Sequence, residues 1–163
     1  MFKKVLVLII LLLTISCDPY RYYELVQSTN SYEFKQEEDS TYVFTDDGIL
    51  MKIKMLQIGI MLHVRVLMNN LQYDLVEFNT NQFRISINNK LKDWKVRIGN
   101  RLVNKDYISQ LSRGDVTEIV YLVDIKEKEV NEIVISLGNI NLPNENKSIK
   151  IEEFTFSPFE ELD

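Results

Sequence analysis

Few residues of this chain combine the types and spacing that chemistry requires. His63 is the only histidine. In the alternating run from Met61 to Met68 it falls on the face opposite Leu62 and Val64, two residues from Arg65, where a side chain simply covers a sheet. No GxSxG-type turn exposes a serine for it to activate. With one histidine and one cysteine, a zinc centre built from several of each is excluded by count. Carboxylates are more plentiful. Glu37-Glu38-Asp39 and Asp46-Asp47 before Gly48 could offer oxygens to calcium, yet neither has the one-three-five spacing and closing glutamate of a calcium loop. Solvated charge accounts for these, for Glu152-Glu153 and for Glu160-Glu161. Gly59, Gly99 and Gly138 are isolated and make no phosphate-cradling loop. Arg113-Gly114-Asp115 spells an integrin-binding tripeptide, but a glycine turn before a strand explains it. Trp94 and Tyr107, with Tyr20, Tyr22 and Tyr23, could form a recognition surface; at the start of a strand, Trp94 reads better as core.

The remaining reactive group is the thiol of Cys17, the one cysteine of the chain. Lys3 and Lys4 precede nine uncharged aliphatic residues, Val5 to Leu13, followed by Thr14, Ile15, Ser16 and Cys17. A basic start, an apolar stretch and a small residue at the cut make an export signal. Nine helical residues cover about 14 Å at ~1.5 Å each, roughly half a bilayer's hydrocarbon core, too short to span it. The string LLTISC resembles the lipobox of bacterial lipoproteins, with Ser16 as the small residue before the cysteine and Thr14 where leucine is usual. The resemblance implies cleavage between Ser16 and Cys17, a thioether-linked diacylglycerol on Cys17 and, in many bacteria, a further acyl chain such as palmitate on its new amino group. Two or three acyl chains anchor stably where one does not.

Removing residues 1–16 from the 163-residue chain leaves 147, the common size of one domain. Loss of Lys3 and Lys4 leaves 17 basic against 24 acidic side chains, so the formal charge moves from -5 to -7. That balance speaks against nucleic acid or anionic lipid head groups as partners of the folded part. With Cys17 committed to lipid, stability must come from burial, which 45% apolar residues can supply.

Residues 17–40 read as the lipidated N-terminus and a polar tether, with one short strand over Tyr22–Val26. From residue 41 to 163 the pattern is period two. Ile49, Met51, Ile53 and Met55 alternate with Leu50, Lys52, Lys54 and Leu56, and Leu62, Val64, Val66 and Met68 with His63, Arg65 and Leu67. Similar runs recur near residues 75–78, 83–87, 94–98, 119–125, 133–137 and 149–156, separated by Asn-, Asp- and Gly-rich turns. Lys105–Ser112 is the one place for a short helix. The reading is all-β, an antiparallel sandwich. A long strand ending in Asn69-Asn70, the segment DLVEFNTNQFRI, the Arg113-Gly114-Asp115 turn and a closing KIEEFTF strand are similar in layout to immunoglobulin-like domains on small bacterial lipoproteins of unassigned role. That resemblance favours a sandwich over a barrel and transfers no active site.

The expectation is a non-enzymatic, cofactor-free envelope lipoprotein, lipid-anchored on the extracytoplasmic side of a membrane. It would bind another envelope protein through loops or an exposed sheet edge and bind no nucleic acid. The alternative is a carrier of apolar ligands, such as lipid, with a cavity between its sheets. Cys17→Ser is expected to move the protein from the membrane to the soluble fraction and to abolish labelling by a palmitate analogue; unchanged membrane association in that variant would refute the anchor.

Overall fold

A computed structural model describes residues 20–28, 34–37, 40–45, 48–127 and 129–158. Ser16, Cys17, Glu38, Asp39, Asp46, Asp47, Glu160 and Glu161 lie outside them. Among the described residues every strand pairing is antiparallel, and helix is confined to two single 3-10 turns, Thr80–Gln82 and Pro143–Glu145. The all-β expectation is met.

The strands form one sheet curled into two facing halves. The first half is built on two ten-residue strands, β4 (Ile49–Ile58) and β5 (Met61–Asn70), which pair over their full length. Beyond β5 lie β12 (Val116–Asp124), β9 (Lys95–Ile98) and the edge strand β10 (Arg101–Val103). On the other side, β3 (Ser40–Thr45) pairs with β4 and carries β2 (Phe34–Glu37). The second half is built on β13 (Ile133–Leu142) and β14 (Lys147–Pro158). β6 (Leu75–Asn79) and β7 (Arg84–Ile87) sit end to end along β13, with β11 (Ile108–Ser112) outside β6 and β8 (Lys90–Leu91) outside β7.

Period two fixes which side chains face inward. Ile49, Met51, Ile53 and Met55 of β4 are buried against Leu62, Val64, Val66 and Met68 of β5, while their chain neighbours remain partly exposed. From the second half come Ile133, Ile135, Leu137, Phe154 and Phe156, in the same apolar cluster. Where the halves meet, Phe83 stacks on Tyr121 with ring centroids 3.8 Å apart, and Trp94 stands edge-on to both at 5.6 and 5.3 Å. These three rings pack in mutual contact between the halves.

Two expectations change. The short strand expected over Tyr22–Val26 is present but longer: the segment read as a tether contains β1 (Tyr20–Ser28), nine residues long and integral to the sheet. Its first residues pair with β4, Tyr20 opposite Ile58, and its later ones with β14, Leu25 opposite Phe156. Tyr23 and Leu25 reach the core, and a bulge at Val26 turns that side chain outward. The described fold thus begins at residue 20, ahead of the boundary expected at 41. Second, Lys105–Ser112 holds no helix: Ser109 and Leu111 are buried while Ile108 and Gln110 face out, the period of a strand, and β11 pairs with β6 throughout.

Side-chain hydrogen bonds secure the crossings between halves. Buried Asn70, at the end of β5, donates from Nδ2 to the carbonyls of Tyr73 at 2.8 Å and Leu111 at 3.0 Å, and its Oδ1 accepts from the Tyr73 amide. Thr80 places its hydroxyl 2.8 Å from the Lys105 carbonyl and 2.9 Å from that of Tyr107, holding the passage from β10 to β11. The hydroxyl of Tyr121, by contrast, has no hydrogen-bond partner among the described residues. Asn70→Ala, which strands several buried groups, is expected to lower the unfolding free energy by about 2–4 kcal/mol in urea titration. Tyr121→Phe is expected to leave it unchanged or raise it, and equal losses in the two variants would contradict these roles.

Candidate functional site

Two of the sheet's edge strands, β10 and β11, are joined directly by residues 104–107. β10 hydrogen-bonds to β9 on one side and has no strand partner on the other among the described residues. Between the edges opens a cleft of about 580 Å³, lined by Ile98, Leu102, Val103, Tyr107 and Ile108 with the polar groups of Arg101, Asn104 and Asp106. Leu102 is 60% exposed and Ile108 48%, large apolar side chains left in water beside unpaired backbone. The volume lies within the range of ligand clefts, about 300–1,000 Å³. Thr80 fixes the floor of the passage through the carbonyls of Lys105 and Tyr107.

A second surface is the outer face of the first half, where the register sets side chains in rows across the strands. Leu56, His63, Leu122 and Lys95 make one row; Lys54, Arg65, Val120, Arg97 and Leu102 make the next. Arg65 pairs with Glu118 at 2.9 Å, and Lys54 lies 5.7 Å from the ring centre of Tyr22. Val120 points outward yet is fully buried, covered by its row neighbours, and the Nε of Arg97 has no hydrogen-bond partner among the described residues. Met61, Leu102 and Leu122, with Trp94, Lys95 and the carboxylates of Asp93 and Asp124, surround a hollow of about 280 Å³. This face is basic although the chain is acidic overall. The outer face of the second half is of another kind, with Ser136, Asn139, Asn141, Ser148 and Thr155 among its outward positions.

The residues singled out in the sequence are dispersed. Trp94 is 7% exposed and belongs to the core, with the Lys105 ammonium 4.9 Å from its ring centre and Lys105 also paired to Asp93. Tyr107 lines the cleft, Tyr22 is exposed and Tyr23 is buried, its hydroxyl donating to Gln57 Oε1. Arg113-Gly114-Asp115 is the turn between β11 and β12. Gly114 takes φ +86°, Arg113 pairs with Asp74 at 2.8 Å, and Asp115 accepts from the Ser112 amide. Gly48 packs so tightly that a β-carbon there would meet the Tyr73 ring at 2.3 Å. Among the described residues no three His, Cys, Asp or Glu side chains converge as a metal-binding group. Sequence reasoning missed Arg101, Leu102 and Ile108, because three- and five-residue edge strands are too short to show a period, and it missed the basic rows, which only register assembles.

No known protein family matches the chain, and no curated protein matches it. Among solved structures it is similar to a Bacillus subtilis protein provisionally described as a lipoprotein, at 13% identity and a TM-score of 0.39. The match covers 78% of this chain and 39% of that one, so the chain spans about two fifths of that protein's length. A likeness at that level assigns neither function nor site.

His63 reports the electrostatics of the basic face. Partial burial lowers its pKa below the usual histidine value, and the guanidiniums of Arg97 and Arg65 lower it further. The folded chain therefore binds this proton less tightly than the unfolded chain, and stability is lost as pH falls through the ordinary histidine range, about 6.5, toward the lowered value. In an NMR titration the His63 ring is expected to show a midpoint below about 6.5, and Arg97→Gln is expected to raise it. A midpoint above that value would mean that the ring meets a carboxylate instead.

Proposed function

We propose that this chain is an envelope lipoprotein, anchored outside the cytoplasm by lipid on Cys17, whose folded part is a non-enzymatic binding module. The cleft between β10 and β11 takes an extended segment of another envelope protein. The observation that carries this reading is an unpaired edge strand beside a cleft with exposed Leu102, Tyr107 and Ile108. Free backbone groups of an edge can hydrogen-bond an added strand, and flanking apolar pockets select its side chains. Arg101, Asn104 and Asp106 at the same cleft supply polar contacts that would set its direction. Support for the anchor is the signal sequence, with its basic start, short apolar stretch and Ser16-Cys17 junction. An apolar-ligand carrier would need interior space, and the mutual packing of Phe83, Tyr121 and Trp94 between the halves favours the binding module over it.

Photo-reactive side chains placed singly at Leu102 and Ile108 in cells are expected to give one discrete protein adduct, and the same group at Ser136 none. Identical patterns at all three positions, or no adduct at any, would remove the cleft as the binding site. Stoichiometric lipid released from the delipidated domain by solvent extraction would instead favour the carrier.

A further inference from the structure

We propose that the outer face of the first half lies against the anionic surface of the bilayer that holds Cys17, so that the domain rests on the membrane instead of standing off it. The inference rests on the reading of Cys17 as the anchor. Three peptide units separate Cys17 from Tyr20, a reach of at most about 11 Å. Tyr20 is already hydrogen-bonded opposite Ile58, at the lower end of β4. Tyr23 then donates to Gln57, whose Nε2 donates to the Gly59 carbonyl, tying the start of β1 to the β4–β5 turn. The lipid therefore emerges at the rim of this face, with no length of chain to hold the domain away.

The face suits such a surface in both charge and apolarity. Lys52, Lys54, Arg65, Lys95 and Arg97 stand on it against Glu118 and Asp124, with Asp93 at its margin, in a chain whose formal charge is -5. Basic groups near an anionic leaflet are attracted to it over about a Debye length, ~10 Å in 0.1 M salt. Between and around them are apolar groups that can enter the head-group layer: Leu56 and Leu122 on the rows, Ile60 at the β4–β5 turn, 70% exposed, and Tyr22 at the start of β1. Long basic side chains flanking apolar ones are the composition of interfacial membrane surfaces. In this orientation the polar face of the second half looks outward. The β10–β11 cleft opens sideways, at the edge of the first half opposite β1, and stays accessible.

Cys17 is the sole cysteine and is thioether-linked when lipidated, so a cysteine introduced at Leu67 or at Ser136 provides a single thiol for a fluorophore. The lipidated mature protein, beginning at Cys17, would be reconstituted in vesicles of phosphatidylcholine alone or with phosphatidylglycerol, each carrying a lipid-borne nitroxide quencher. A label at position 67 is expected to be quenched at least twofold more than one at 136 in the anionic vesicles. That difference should collapse in phosphatidylcholine, in 0.5 M salt, and in the Lys95→Glu, Arg97→Gln double variant. Weak quenching at both positions, on protein that still floats with the vesicles, would overturn the orientation and leave the anchor standing. Failure of the intact protein to float would refute the anchor and this inference with it. A label at 67 that stays unquenched on anionic vesicles but is shielded by added polyphosphate would overturn the proposal in favour of a soluble polyanion.

Discussion

Strand β1 hydrogen-bonds to both halves of the sheet, and the closure of the fold depends on that double membership. Its first three residues extend β4 and the next extend β14, so one continuous backbone carries the curl from one layer to the other. The chain has no disulfide to hold the layers together, having one cysteine. Burial supplies the stability, and burial works only when both inner faces are presented to each other at sheet-packing distance. Tyr23 and Leu25 add side chains to the core at the corner where the layers join.

At the opposite side the layers meet through polar groups. Asn70 and Thr80 are fully buried; Thr80 bonds the carbonyls of Lys105 and Tyr107, and Asn70 bonds the carbonyls of Tyr73 and Leu111 and accepts from the Tyr73 amide. Such bonds fix register and position where apolar contact alone would allow sliding. The edge strands β10 and β11 are therefore held close without being zipped, with the cleft between them.

How much of this was legible in the sequence follows from strand length and surroundings. Ten-residue strands with unbroken alternation, such as Ile49–Ile58 and Met61–Asn70, announce themselves and even show that His63 faces away from the core. Of Tyr20–Ser28 only the shorter stretch Tyr22–Val26 was legible as a strand, because its inward residues, Tyr23 and Leu25, are only two and sit among polar and aromatic neighbours. Lys105–Ser112 looked helical because the turn Asn104–Tyr107 merges with a short strand whose exposed Ile108 breaks the expected pattern. The net acidity of the chain spoke against anionic surfaces, yet charge segregates by face: Lys54, Arg65 and Arg97 come from three strands up to 43 residues apart and meet only through register. A sum over residues contains no information about sides.

The double pairing of β1 also determines how the fold responds to force. Tension on the chain ahead of Tyr20, acting along the strand, bears on the hydrogen bonds to β14, and on those to β4 at its start, together and in shear, so they share the load instead of parting one by one. Tyr23 adds a side-chain bond to Gln57 in the same corner. The first of the described strands is thus also the one placed to act as the mechanical clasp, and a pull there strains the junction of the two layers before it reaches the core behind it.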